Sequence, residues 1–308
     1  MSGLAKFVDK TVLVTGACGT VGSELVRQLL TDPRNAPMGV VGIDNNESQL
    51  FYLDQAWLND PRARFFVADI RDRRELTRHM RGIDIVFHCA ALKHVIICER
   101  SPEQAVATNI QGVQNIIESA MDNKVERVIF TSSDKAVNPT NVMGTSKLMG
   151  ERLITAANSY KHGIGTIFAS TRFGNVLGSS GSVVPIFHNQ IAEGGPITLT
   201  DRDMTRFVMS TGEAVRLVID SAELARGGEV FVTKMPVVRI EDLGKAMIKA
   251  LAPQYGFRPE EIKIEVIGTK PGEKLYEELM SDEETRRAIE LPQYFAVLPA
   301  FRGVYQDI

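Results

Sequence analysis

Two groups of residues in this chain have types and spacings that could do chemistry. The first is Gly16-Ala17-Cys18-Gly19-Thr20-Val21-Gly22, a G-x-x-G-x-x-G run between an apolar stretch and a helical pattern. Glycines let a backbone turn tightly and approach a pyrophosphate, and a helix N-terminus offers free N–H groups and a positive dipole end. Such a run also makes plain turns. Here a strand precedes it, a helix follows, and an acidic residue, Asp44, ends the next strand, which together read as a dinucleotide site. A carboxylate at Asp44 would accept the ribose hydroxyls and repel a 2′-phosphate. No Arg follows in Asn45-Asn46-Glu47-Ser48, so NAD is favoured over NADP. The plainer reading of Asp44 is a solvated strand end. Asp69 and Ile70 follow the third strand and suit an adenine, with a helix-capping Asp as the other reading. Ala90 and Ala91 follow the fourth strand, where small side chains let backbone pass close to a dinucleotide or simply pack. Asn109 falls in a helical stretch, where Asn is a poor helix former. It is expected to hold water or backbone near the site, or else to lie on the surface.

The second group is Ser133-Asp134-Lys135 at the end of the fifth strand, with Lys147 on the helix that follows. An adjacent carboxylate and amine can cap a strand as an ion pair. They can also work as an acid and a base, if the Asp is protonated and the Lys neutral part of the time. A coupled pair sharing one proton meets that need better than two independent groups. The residue types alone favour the ion pair.

These residues need elements to position them. Strands are expected at 11–15, 39–43, 64–67, 83–88, 125–132 and 165–171. Helices are expected at 23–30, 72–80, 102–121 and 142–161 between them. That alternation implies an α/β fold: a doubly wound, Rossmann-type parallel sheet whose strand carboxyl ends bind ligand. Past Phe173 the pattern loosens, with Gly and Ser at 174–182 and a turn at 194–196. Helices are expected at 211–225, 240–251 and 272–281, and an extra strand at 262–267. The division is a cofactor domain over 1–172 and a mainly substrate-binding region over 173–308, interleaved at an approximate boundary.

Composition removes several other functions. Of 308 residues, 44% are hydrophobic and 24% charged, the formal net charge is −3, and no basic face stands out. Nucleic acid is therefore not an expected partner. The three cysteines, Cys18, Cys89 and Cys98, form no C-x-x-C pair, so neither a zinc site nor a disulfide framework is expected. Reduced thiols fit a cytoplasmic protein. No apolar stretch approaches the roughly 20 residues that span a bilayer, which leaves room for a membrane-bound partner but not for a spanning segment. Glu283-Glu284 with Arg286-Arg287 reads as a solvated helix face.

The stretch Thr131-Ser132-Ser133-Asp134-Lys135-Ala136-Val137-Asn138-Pro139-Thr140-Asn141-Val142-Met143-Gly144-Thr145-Ser146-Lys147 closely resembles the nucleotide-sugar 4,6-dehydratases of the extended short-chain dehydrogenase/reductases. The nearest group is the UDP-N-acetylglucosamine 4,6-dehydratases of polysaccharide biosynthesis. Supporting stretches are Ala91-Leu92-Lys93-His94-Val95, Arg172-Phe173-Gly174-Asn175-Val176-Leu177-Gly178-Ser179, Met204-Thr205-Arg206-Phe207 and Lys270-Pro271-Gly272-Glu273-Lys274-Leu275. The resemblance implies oxidation at sugar C4, loss of water across C5–C6, and return of hydride to C6. It makes Lys135 the base at C5, Asp134 the acid toward the 6-hydroxyl and Ser133 a partner of O4. Lys147 would hold the nicotinamide ribose. By the same resemblance Arg206 would pair with pyrophosphate, and Asn175 and Ser182 would touch diphosphate or sugar. Lys270 and Glu273 would hold phosphate and ribose, and Lys93 and His94 would line the sugar pocket. The family's usual Tyr-x-x-x-Lys is here Met143 to Lys147, and Met exchanges no proton. One branch of the family also carries Met and is associated with retention at C5. Met143 would pack beside the sugar or nicotinamide, or in the core. The O4 proton would then go to Asp134 or to water ordered by Ser133. Lys270 stands where Arg is more usual, keeping charge without the bidentate fork. A UDP-sugar substrate and a homo-oligomer joined through the Lys147 helix are implied by analogy. A C4 or C5 epimerase on the same scaffold, and a non-catalytic NAD-binding regulator, are the competing readings.

Overall fold

The computed structural model describes residues 6–159 and 165–300. Its first half runs β1 (Thr11–Thr15), α1 (Thr20–Thr31), β2 (Gly39–Asp44), α2 (Glu47–Ala56), β3 (Ala63–Val67), α3 (Arg73–His79) and β4 (Ile85–His88). Then follow α4 (Val95–Arg100), α5 (Pro102–Val106), α6 (Gly112–Asp122), β5 (Arg127–Ser133), α7 (Val142–Ala157) and β6 (Ile167–Phe173). The second half holds β7 (Asn175–Val176), α8 (Val183–Ala192), β8 (Ile197–Leu199), β9 (Thr205–Met209), α9 (Thr211–Leu224) and β10 (Val230–Thr233). It ends with β11 (Val237–Arg239), α10 (Ile240–Leu251), β12 (Ile264–Val266), α11 (Asp282–Thr285), β13 (Ala288–Glu290) and β14 (Tyr294–Val297).

Strands β1, β4 and β5 are apolar runs buried on both faces, as parallel strands covered by helices must be. They lie in a nine-stranded sheet of order β13-β14-β10-β6-β5-β4-β1-β2-β3. Pairing is parallel from β3 through β10, and β14 and β13 close the edge antiparallel. One face packs Leu25, Val26 and Leu29 of α1 and Ala214 to Ala222 of α9 against Val12, Val14 and Phe87. The other packs Leu76, Val113, Ile116 and Ile154 against Leu13, Val86 and Phe130. Each such Leu or Ile contributes about 1.5–3 kcal/mol when fully buried. Strand order reverses between β1 and β4, the place where open α/β sheets bind ligands. A separate apolar cluster of Phe187, Ile191, Ile197, Leu199, Met204 and Ile240 builds the layer above that edge.

Three of the expected elements are corrected by the structure. The stretch 102–121 is not one helix. A π-helical turn at Ala107–Gln111 separates α5 from α6 and holds Asn109. No helix forms over 272–281. There Leu275 O accepts from Thr205 N at 3.0 Å, Lys274 O from Arg206 at 2.9 Å and Leu279 O from Arg172 at 2.8 Å. Those carbonyls are satisfied by other elements and have no need of an intrahelical partner. The charged stretch after it is not a solvated face either. Helix α11 is only four residues long, and Glu284 is buried against the fully buried Arg172 at 3.0 Å, which also pairs with Glu151 of α7 at 2.7 Å. The expected end of the helix from 142 to 161 falls partly outside the described residues. Helices α2, α4 and α8 carry no clear helical apolar stripe in the sequence. Only Leu50 is buried in α2, and Pro185 of α8 sits in its first turn, where an N–H is not needed.

Candidate active site

The glycine run bends β1 into α1. Gly16 has φ +68°, and a Cβ there would meet Ala90 Cα at 2.7 Å; one on Gly22 would meet Gly16 O at 2.1 Å. Only glycines permit this approach. Gly19 is the N-cap of α1 and has no side chain to cap it, so the first N–H groups of Thr20, Val21 and Gly22 are left for another acceptor. Asp44 accepts Cys18 N and Asn46 N, each at 3.0 Å, which ties the glycine loop to the end of β2. A cavity of about 480 Å³ opens over the loop, lined by Gly16, Gly19, Asp44, Asp69, Ile70 and Ala90, with Ala91 and Arg71 at its wall. Asp69 caps no helix. That task falls to Asp72, which accepts Glu75 N, and Asp69 forks with Arg71 at 2.9 Å. The Arg71 hydrogen bond holds the Asp69 carboxyl below its ordinary range. Burial and the Asp44 charge push the Cys18 thiol up to about 12, so it stays protonated.

Asn109 is buried, and both ends of its amide are used. Its Oδ1 accepts Leu92 N and its Nδ2 donates to Leu92 O and to Ser146 Oγ, all at 2.9 Å. The π turn therefore latches the loop after β4 onto α7 beside Lys147. Lys147 is buried; its Nζ donates to Thr131 O at 2.9 Å and lies 4.7 Å over the Phe130 ring. Burial pulls its pKa down to about 8. His88, at the end of β4, pairs with Thr15 Oγ1 at 2.7 Å and is held neutral, near 3, by burial and by Lys147.

The acid–amine group sits where β5 ends. A 3₁₀ turn over Asp134–Ala136 begins at Ser133, whose Oγ accepts Lys135 N and donates to Asp134 Oδ1 at 2.9 Å. Lys135 Nζ meets Asp134 Oδ1 at 3.0 Å and Asn175 Oδ1 at 3.2 Å. Asp134 is fully buried, and its Oδ2 finds no partner among the described residues. Gly144 lets α7 rest directly on this turn, since a Cβ there would meet Lys135 O at 2.2 Å. Met143 enters a buried apolar cluster with Cys98 and Ala105, the core arrangement, and lines neither cavity.

A second cavity of about 510 Å³ meets the first at Ile97. Lys135, Asn175, Arg206, His94, Lys270 and Glu273 all line it. Arg206 is buried and fastens the 272–281 strap, donating to Leu275 O at 3.2 Å and standing 3.7 Å from Glu273. Lys93 Nζ donates to Ser180 O at 2.9 Å, and Lys93 lines neither cavity. Ser182, the N-cap of α8, has a buried Oγ without a partner among the described residues. The sequence reading missed Glu277. It lines this cavity, lies 3.6 Å from Lys135 Nζ, and is buried. Its only signal was a Glu between apolar neighbours in Leu275-Tyr276-Glu277-Glu278-Leu279, which the expected helix over 272–281 gave no reason to single out.

The family description "Polysaccharide biosynthesis protein" matches residues 12–299. A protein of Methanocaldococcus jannaschii named an uncharacterized membrane protein is 52% identical over 95% of this chain and 87% of its own. The inverting UDP-N-acetylglucosamine 4,6-dehydratase of Campylobacter jejuni is 37% identical over 98% and 86%. A UDP-glucose 4-epimerase of Rickettsia bellii is 39% identical over 94% and 83%. Among solved structures, Pen from Bacillus thuringiensis superposes with TM-score 0.91 at 44% identity, covering 96% of this chain and 90% of its own. The dTDP-glucose 4,6-dehydratase DesIV of Streptomyces venezuelae, with NAD and TYD bound, gives 0.76 at 26%, covering 90% of each. Among the described residues no helix is long and apolar enough to cross a membrane, and no cluster of metal-ligating side chains occurs. Strand order, glycine loop and sequence likeness over nearly its whole length agree: the chain belongs to the polysaccharide biosynthesis protein family, within the extended short-chain dehydrogenase/reductases that include nucleotide-sugar dehydratases and epimerases.

Proposed function

We propose that this chain is an NAD-dependent nucleotide-sugar 4,6-dehydratase that removes water from UDP-N-acetylglucosamine, with retention at C5. The observation that carries this reading is Lys135 Nζ on the wall of the second cavity, held by Asp134 and Asn175. The first cavity suits NAD. Its glycine cradle admits no side chain, Asp44 stands at the ribose end, and its alanine walls allow close approach. NAD would supply the site with uptake and return of a hydride.

The chain's own groups handle the protons. Ser133 Oγ hydrogen-bonds sugar O4, whose proton passes to Asp134 or to water ordered by Ser133 when the C4 ketone forms. Lys135 removes the C5 proton, which a C4 ketone makes acidic. Asp134 protonates the departing 6-hydroxyl, and its unpartnered Oδ2 is a buried acceptor that a sugar hydroxyl would satisfy. Lys147 places positive charge near the ribose. Arg206 and Lys270 take the diphosphate, Glu273 a ribose hydroxyl, and Asn175, Ser182, Lys93 and His94 the sugar side. Residues beyond 173 act mainly as the substrate-binding region. Retention rests on Met143 standing in the usual Tyr position, as in the branch of the family associated with retention; the Campylobacter relative, in contrast, is named as inverting. We also propose a cytoplasmic homo-oligomer joined through α7, whose Met149 is exposed.

The Rickettsia relatives' name supports 4-epimerisation as a second reading. Incubating the pure chain with UDP-N-acetylglucosamine and NAD in deuterated water, with NMR and mass analysis of the product, separates the two. A product lighter by one water, labelled at C5, is expected. An isomer of unchanged mass would establish the epimerase, and no turnover a binding module.

A further inference from the structure

A lysine can act as a base only when it has lost its surplus proton. Lys135 is flanked by two carboxylates, Asp134 at 3.0 Å and Glu277 at 3.6 Å. Asp134 is already engaged by the Ser133 hydroxyl on Oδ1, and the dehydratase reading needs it as the acid at O6. It cannot both keep the Lys135 proton and deliver one to the leaving group without refilling. Glu277 has no such second duty. It comes from the strap that Arg206 fastens, it is buried, and it lines the cavity at Lys135. Its Oε2 is buried without a hydrogen-bond partner among the described residues, with Lys274 Nζ 3.9 Å away. Packing alone gives no reason to bury a carboxylate so incompletely satisfied.

We propose that Glu277 is a positioning residue for Lys135: it holds the amine at the cavity wall and takes up its surplus proton, leaving the nitrogen free to act on C5. This rests on the dehydratase reading above. In the step an N–H bond of the Lys135 ammonium breaks and an O–H bond forms on Glu277 Oε1. An ammonium–carboxylate pair becomes an amine and a carboxylic acid, and no electrons are exchanged. Lys135 then accepts the C5 proton, exchanges it with solvent, and donates a proton when C5 is reprotonated. Burial pushes the Glu277 pKa up, and although Lys135, Arg206 and Lys274 pull it down and Asp134 adds to the rise, the balance stays upward. A carboxyl in that position receives a proton more readily than an exposed glutamate does.

The test compares wild type, Glu277→Gln and Glu277→Asp for NAD binding, thermal midpoint and the pH dependence of water loss from UDP-N-acetylglucosamine. With Gln, which keeps the shape but takes no proton, kcat at neutral pH should fall about 100-fold with KM little changed. The remaining rate should rise with pH, because Lys135 must now release its proton to solvent. Asp should restore part of the rate and shift the rise to lower pH, and its profile decides the matter if the Gln variant fails to fold. NAD binding should be unchanged. A Gln variant with wild-type rate and profile would overturn the proposal. So would an even loss at every pH that Asp does not relieve, since that is the mark of a purely structural residue. Wild type that turns over without losing water would instead overturn the dehydratase reading, and the two failures are read from different proteins.

Discussion

At the residue scale the site works through buried charge. Lys147 has its ammonium in a pocket of Phe130, Thr131 and His88, and burial outweighs the neighbouring Cys89 and Glu151 in setting its pKa near 8. The group is therefore charged below about pH 8 and neutral above it. If its charge supports catalysis, kcat should fall as pH rises through that value. Lys147→Arg, whose guanidinium stays charged, should move the alkaline limb upward even if it lowers the rate at neutral pH. Lys147→Met should cost about 100-fold or more and abolish the limb. A limb that stays near pH 8 in the Arg variant would assign it to another group. Much at this scale was legible in the sequence, since Asp44, Asn109, Ser133, Lys135, Asn175 and Arg206 all lie on cavity walls or support them. Asn109 held backbone, as its poor fit to a helix suggested. Glu277 was not legible, because its importance comes from a contact across the fold with no local signature.

At the element scale the 134–136 turn is placed by what rests on it. Helix α7 lies against the 134–136 turn only because residue 144 has no side chain; a Cβ there would stand 2.2 Å from Lys135 O and 3.2 Å from Pro139 Cβ. Gly144→Ala must push the helix away or tilt the turn. Overpacking of this kind costs about 1–3 kcal/mol, and a shift of about 1 Å at the reacting groups can cost about 100-fold in rate. We therefore expect Gly144→Ala to lose far more activity than stability, measured as kcat against the thermal midpoint. Gly165→Ala, at a glycine without a positive φ and with nothing near its Cβ position, serves as the control for general loss of glycine and should leave kcat unchanged. The apolar strands and α1, α7, α9 and α10 could be read from periodicity, because their buried faces repeat. The strap over 272–281 could not. Its carbonyls are bonded to Arg172, Arg206 and Thr205, partners remote in sequence that no local pattern reveals. The same holds for Glu284, whose burial depends on Arg172 in β6 and Glu151 in α7.

At the scale of the whole molecule the two functional halves share one core. The division near Phe173 follows the change in sequence pattern, but the sheet does not stop there. Strand β10 pairs with β6 through Val230, Phe231 and Val232, and β14 covers β10 in turn. Helix α9 supplies Ala214, Val215, Leu217, Val218 and Ala222 to the same cluster as Val12, Val14 and Phe87. A chain cut after residue 172 would leave β6 as a bare edge and uncover the face of β5 and β6 on which α9 packs. Open apolar edges pair with other chains, and the loss of several fully buried aliphatic side chains, each worth about 1.5–3 kcal/mol, is comparable with the whole stability of an ordinary domain, about 5–15 kcal/mol. We expect the fragment 1–172 to show no cooperative thermal transition and to aggregate, even with saturating NAD, whereas a fragment that also keeps α9, β10 and β14 should melt cooperatively. Circular dichroism melts with light scattering decide between them. A soluble, cooperatively folding 1–172 would mean that the cofactor half carries its own core. The layer built on Phe187, Ile191, Ile197 and Ile240 would then be an addition to it and not part of the same folding unit.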